Sequence, residues 1–260
     1  MTVAERLVAD GKLPFDAILF DLGNTLIYFD GEWQEVLTKA CLEAWQSLAS
    51  SGLKLDRDTF VQEFLGKLNA YYVEREAEFI EYTTAYVLKG LLAENGYTDL
   101  PDTILLPALH KMYSVSRNHW HVEKDTHSVL NELQNRGYRL GIISNAGDDE
   151  DVQQLVDQAR IRPYFDEILS SAALGIRKPN PRIFDSMLSK LKVERTRAAM
   201  VGDTLGADIL GAQNAGLFSI FLTRRAATPA NRAHLDTILP DAIIDSLNDL
   251  PDLLISLSKP

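Results

Sequence analysis

Residues 16–26 read D-A-I-L-F-D-L-G-N-T-L. The apolar run A-I-L-F is too short for a helix and lies between Pro14 and Gly23, so it reads as a buried strand. It ends in Asp21 and the turn-prone pair Gly23-Asn24. From Glu32 to about Arg117 the texture changes. Trp33, Val36, Leu37, Ala40, Cys41, Ala44, Trp45 and Leu48 recur at spacings of three and four, which gives one helical face. Similar patterns cover Phe60–Tyr72, Ala77–Leu92 and Thr103–Val115, with breaks at Ser51-Gly52, Gly96 and Pro101. This block is expected to be all-helical, without a strand.

After Asp125-Thr126, an N-cap signal, the pattern alternates. Helical stretches at His127–Arg136, Asp151–Ala159, Arg182–Leu191 and Asp208–Asn214 separate apolar runs at Arg139–Ser144, Glu167–Ser170, Ala198–Val201 and Phe218–Leu222. The tail from Ile243 to Leu257 reads as a last short strand and a closing helix. Strands spaced by helices of this length imply βαβ units and a parallel sheet. The expected fold class is α/β: a doubly wound parallel sheet, with an all-helical insertion after its first strand.

Composition sets the outer bounds. The 260 residues suit one large domain or a core with an insert, and such a chain can bury a full core without disulfides. A net charge of −11 argues against nucleic acid as the main partner. It suits a monomer or homodimer. Met1 to Lys12 contains Glu5 and Asp10 and lacks the apolar run of a signal peptide, and no stretch is long enough to span a membrane. The lone Cys41 fits a reducing compartment, so a cytoplasmic location is expected.

Ligands of open parallel sheets collect at the carboxyl ends of the strands. The polar residues expected there are Asp21, then Ser144 and Asn145 in G-I-I-S-N-A-G, and Asp203 and Asp208 in V-G-D-T-L-G-A-D. Lys178, in G-I-R-K-P-N-P, lies on a loop. Asn180 as N-cap and Pro181 at the first helical position would fix the backbone after Lys178. Taken singly, each has a plain structural reading: a turn residue, a helix cap or a solvated charge. Together they have a chemistry. A carboxylate can attack phosphorus to form an acyl phosphate that water cleaves. A phosphate dianion beside three carboxylates needs a cation, and Mg²⁺ with oxygen ligands would supply it.

Order and spacing of these motifs resemble the haloacid dehalogenase-like hydrolase superfamily over nearly the whole chain. The resemblance implies a Rossmann-like core of 1–29 and 120–260 and a helical cap of 30–119, with hinges near Phe29–Glu32 and Asn118–Lys124. It implies a small phosphorylated substrate and Asp21 as nucleophile. It also implies Mg²⁺ held by Asp21, the Gly23 carbonyl, Asp203 and Asp208, the last directly or through water. Ser144, Asn145, Lys178 and Asn24 would bind the phosphoryl group, with Ser144 and Lys178 also catalytic.

One departure matters. Phosphatases of this family usually carry an acid–base Asp two residues after the nucleophile, where this chain has Gly23. General acid–base catalysis is worth roughly 10²–10⁴-fold. The chain could therefore favour leaving groups that need little protonation, recruit another group as the acid, or bind phosphate ligands without efficient turnover. Dehalogenases also lack that Asp, but typically hold their substrate with an Arg early in the cap. Between Asp21 and Asp56 there is no Arg. Among the rest, Trp33, Trp45, Tyr71, Tyr72, Tyr82 and Tyr86 are expected to pack the helical block, the alternative being that some line a substrate pocket. His119 and His121 read as ordinary polar residues, and Arg224 and Arg225 as solvated.

Overall fold

The computed structural model describes residues 14–258. The expectation for Met1 to Lys12 falls outside these residues. The chain opens with β1 (Ala17–Phe20) and β2 (Ile27–Phe29), followed by the helices α1 (Trp33–Ser50), α2 (Arg57–Glu78), α3 (Thr84–Glu94) and α4 (Asp102–Arg117). It returns through β3 (Trp120–Val122), α5 (Thr126–Asn135), β4 (Arg139–Ser144), α6 (Asp149–Gln158), β5 (Glu167–Ser170), α7 (Ser171–Leu174) and α8 (Pro181–Leu191). The last elements are β6 (Ala198–Gly202), α9 (Leu210–Ala215), β7 (Phe218–Leu222), α10 (Pro229–Arg232), β8 (Ala242–Ile244) and α11 (Leu250–Leu257). Among the described residues, no helix is long and apolar enough to cross a membrane.

The main sheet has six strands in the order β5-β4-β1-β6-β7-β8, all parallel. β1 is the switch strand, because the chain runs out from it in both directions. Alternation along β1 explains its unbroken apolar run. Ile18 and Phe20 pack with α5, α6 and α11 through Val129, Leu130, Val152 and Leu254. Ala17 and Leu19 face the other layer, with Ile183, Phe184 and Met187 of α8. Phe20 is in register with Ile142 on one side and Val201 on the other, so Asp21 emerges level with the ends of β4 and β6.

The helical block has a separate core built from Leu37, Ala44, Leu48, Phe64, Leu91 and Leu109, among others. One expectation for this region is corrected. The helix expected over Ala77–Leu92 is broken: α2 ends at Glu78, Phe79 adopts a positive φ of 54°, and Thr83 caps a new helix by accepting from the Tyr86 N–H. At the base, Ile27–Phe29 and Trp120–Val122 form a two-stranded antiparallel ribbon that hydrophobic patterning did not indicate. The two expected hinge segments are thus joined, with Phe29 opposite Trp120.

Arg224 and Arg225 are also corrected, since neither is simply solvated. Arg224 Nη1 donates to both carboxylate oxygens of Asp125 at 2.8 Å, and Asp125 is buried. Asp125 precedes α5 but caps nothing with its side chain. Arg225 pairs with the buried Glu123, and its guanidinium lies 4.1 Å from the centre of the Tyr28 ring. These pairs fasten the turn between β3 and α5 to the loop after β7. Removing one partner strands a buried charge, so Arg224→Ala should cost about 3–5 kcal/mol in chemical denaturation. The Arg224→Ala/Asp125→Ala double variant should recover part of that loss.

Candidate active site

The site is built on the ends of β1, β4 and β6. Asp21 follows β1 directly, and its N–H donates to the Val201 carbonyl at 2.9 Å. Ser144 is the last residue of β4 and Asp203 the first after β6. Asp208 sits in a π-helical turn, Leu205–Ile209, where a regular helix was expected from Asp208 onward. This wider turn lets the Asp208 carboxylate fold back and accept from the Thr204 N–H at 3.0 Å. It lies so close to β6 that a Cβ on Gly202 would stand 2.4 Å from Asp208 Cγ. Glycine at 202 is required by that approach.

Lys178 ties these ends together. Its Nζ lies 2.7 Å from Asp21 Oδ1, 2.7 Å from Asp208 Oδ1 and 2.6 Å from the Ile143 carbonyl. The ammonium donates to Asp21 and to the Ile143 carbonyl, and Asp208 adds an ion pair. The backbone of Lys178 is held by Asn145, whose side chain accepts from its N–H at 2.8 Å and donates to its carbonyl at 3.0 Å. Asn180 caps α8 by accepting from the Arg182 N–H, with Pro181 behind it, as expected.

Burial raises Asp21 to about 6, and the charge of Asp208 adds to this while Lys178 opposes it. Burial, then the charges of Asp21 and Asp208, push Asp203 up to about 8. Burial would depress Lys178, but the carboxylates of Asp208 and Asp21 outweigh it and hold the ammonium above the ordinary lysine value. Ligand oxygens of Asp21, Asp203 and Asp208 lie within 4.8 Å of one another. Three carboxyl groups gathered beside one ammonium offer hard oxygen donors at a common point, a donor set that fits a divalent cation of the Mg²⁺ type.

All eight residues singled out in the sequence line one cavity of about 800 Å³. They are Asp21, Gly23, Asn24, Ser144, Asn145, Lys178, Asp203 and Asp208, with Asn24 at a positive φ of 59°. Of the six aromatic residues expected to pack the helical block, Trp33 and Tyr72 reach the cavity. Trp45 bonds the Leu55 carbonyl inside the block, and Tyr71 is buried. Tyr82 and Tyr86 do not pack the block as expected; they are exposed and stacked on each other at 5.1 Å. His119 bonds the Asp30 carbonyl and His121 lies against Tyr28, ordinary polar roles.

Two further features were not read from the sequence. The buried Asn231 side chain donates to the Asp203 and Ala226 carbonyls and accepts from the Leu205 N–H, bracing the Asp203 loop. Its only cue is Thr228-Pro229, a cap and first-turn pair that starts α10. The segment after the break at Phe79 lies along the loop preceding Lys178. Ile80 bridges Ile176, and the Arg177 N–H donates to the Phe79 carbonyl at 3.2 Å. Buried Glu81 accepts from Ser171 Oγ at 2.7 Å and from the Tyr71 hydroxyl, with Arg177 Nη1 3.7 Å away.

The family model described as haloacid dehalogenase-like hydrolase matches residues 15–216. The chain belongs to this hydrolase family. Among haloacid dehalogenase-like relatives, a glyceraldehyde 3-phosphate phosphatase of Methanothermobacter thermautotrophicus is 29% identical over 245 residues, 92% of this chain and 99% of that one. A pyrimidine 5'-nucleotidase of Escherichia coli is 36% identical over 128 residues, covering 49% of this chain and 54% of that one. A solved 2-haloacid dehalogenase from Pseudomonas syringae is 26% identical, with a TM-score of 0.62 over 93% of this chain and 99% of the other. A HAD phosphatase structure from Thermococcus onnurineus has the same fold at 24% identity, with a TM-score of 0.63 over 92% and 97%.

Removing the Asn145 clamp would free the Lys178 backbone. Displacements of about 1 Å at such a site cost on the order of 10²-fold in rate. Asn145→Ala should therefore lower kcat/KM by at least about that factor in steady-state kinetics.

Proposed function

We propose that this hydrolase is a Mg²⁺-dependent phosphatase of small phosphorylated metabolites, acting through an aspartyl-phosphate on Asp21. The observation that carries this reading is the cluster of Asp21, Asp203 and Asp208 around the Lys178 ammonium, facing the cavity. Relatives named as a phosphatase and a nucleotidase support it.

In this reading Asp21 attacks phosphorus, and water then cleaves the acyl phosphate. Lys178 keeps the Asp21 carboxylate ionised and aimed, and adds positive charge beside the phosphoryl oxygens. Ser144, Asn145 and Asn24 line the same pocket and donate hydrogen bonds to those oxygens. Asp21, the Gly23 carbonyl and Asp203 would hold Mg²⁺, with Asp208 bound to it directly or through water. The ion would offset the phosphoryl charge. Residues 30–119 act as a cap over a core of 1–29 and 120–260, excluding water and selecting the substrate.

The test is phosphate release from a panel of phosphate esters, run with Mg²⁺, with chelator, and with Asp21→Asn as the contamination control. Turnover should need both the ion and Asp21. Mg²⁺ should also raise the melting temperature by mass action, and Asp203→Asn should abolish that shift. Halide release from 2-haloacids without added metal, in place of phosphate release, would overturn the reading.

A further inference from the structure

The place two residues beyond Asp21 is closely bordered by a side chain from elsewhere in the chain. Gly23 does not have a positive φ, so its backbone would accept an ordinary side chain. Space is what is short: a Cβ there would stand 3.2 Å from Trp120 Cη2, so the ring would have to give by a few tenths of an ångström, and 3.5 Å from Cζ3, before any carboxyl was added.

The indole is well anchored. Trp120 pairs with Phe29 in the ribbon, and the two rings meet edge-to-face at 5.3 Å and 70°. Its carbonyl accepts from Gln158 Nε2 at 3.3 Å, and its ring packs against the sheet's core. Both Gly23 and Trp120 line the cavity. Of the other carboxyls on the cavity wall, Asp21 and Asp208 pair with Lys178 at 2.7 Å and Asp151 pairs with Arg117 at 2.8 Å, while Asp203 belongs to the carboxylate cluster that would hold the metal.

We infer that Trp120 and Gly23 form a specificity-determining pair, in which the indole occupies the room a proton donor would need and restricts turnover to phosphates whose leaving oxygen departs as an anion. This inference rests on the phosphatase reading. The substrate class is acyl phosphates and aryl phosphates, whose leaving groups are carboxylates and phenolates. In the first step an Asp21 oxygen bonds to phosphorus and the bond from phosphorus to the leaving oxygen breaks. The bonding pair stays on that oxygen, so no proton is needed. In the second step water adds to phosphorus, the Asp21 carboxylate is regenerated, and the water's protons pass to inorganic phosphate and solvent. An alkyl phosphate would have to expel an alkoxide in the first step, and that is where the missing donor costs most.

The experiment uses the full chain with Mg²⁺ and compares acetyl phosphate, a series of substituted phenyl phosphates and simple alkyl phosphates. For the wild type, kcat/KM should fall steeply with leaving-group pKa, and alkyl esters should lose at least the 10²–10⁴-fold that general acid catalysis is typically worth. Gly23→Asp alone should not restore alkyl turnover. Gly23→Asp/Trp120→Ala should restore it and flatten the dependence. Melting temperature gives a readout independent of activity: Gly23→Ala should destabilise the wild type and cost much less in a Trp120→Ala background. Equal costs in the two backgrounds would overturn the steric pairing. A flat leaving-group dependence in an active wild type, or a folded double variant without alkyl turnover, would overturn the specificity role. If no ester in the series is hydrolysed, the phosphatase reading itself fails, and the melting comparison still reports on the pairing.

Discussion

A single buried ammonium holds the site together. Lys178 Nζ reaches Asp21, Asp208 and the Ile143 carbonyl, which belong to the ends of three different stretches of chain. A lysine so enclosed would ordinarily lose its proton. The carboxylates of Asp208 and Asp21 outweigh that burial and keep the ammonium charged. Lys178 is itself held by Asn145 through its backbone and by the capped start of α8, so the charge is set by rigid elements.

That arrangement depends in turn on the sheet. β1 is buried on both faces and flanked by β4 and β6 in a register that brings their carboxyl ends level. Chain running outward from β1 in both directions leaves a crevice at that point, where residues from strands distant in sequence converge. The π-helical turn after β6 and the glycine at 202 are local adjustments that bring a second carboxylate into reach.

Much of this was legible because it is local. Strand ends announce themselves as an apolar run followed by a polar residue, so Asp21, Ser144 and Asp203 were found with their positions. Long amphipathic helices were found from their period. What escaped depends on partners far away in the chain. The strands of the ribbon are three residues each, too short to alternate visibly, and exist because 27–29 and 120–122 meet. Arg224 looked like a surface charge because its partner Asp125 is 99 positions away. The break at Phe79 was hidden by apolar residues that continue the helical spacing on both sides. Asn231 acts through backbone carbonyls, which leave no trace in side-chain patterns.

The ribbon has one more consequence. In an antiparallel pair, opposite residues have Cα atoms only about 4.5–5.5 Å apart. Phe29 and Trp120 are such a pair, so residues 30–119 leave the core and return to it at nearly the same point. To the sheet they are the loop of one oversized hairpin. The entropy of closing a loop grows only logarithmically, by about 0.6 kcal/mol per doubling of its length. A fold wired in this way can take in a larger helical block, a smaller one or an unrelated one between the same two strands. The sheet edge that carries Asp21, Ser144 and Asp203 keeps its register while the inserted block is free to diversify.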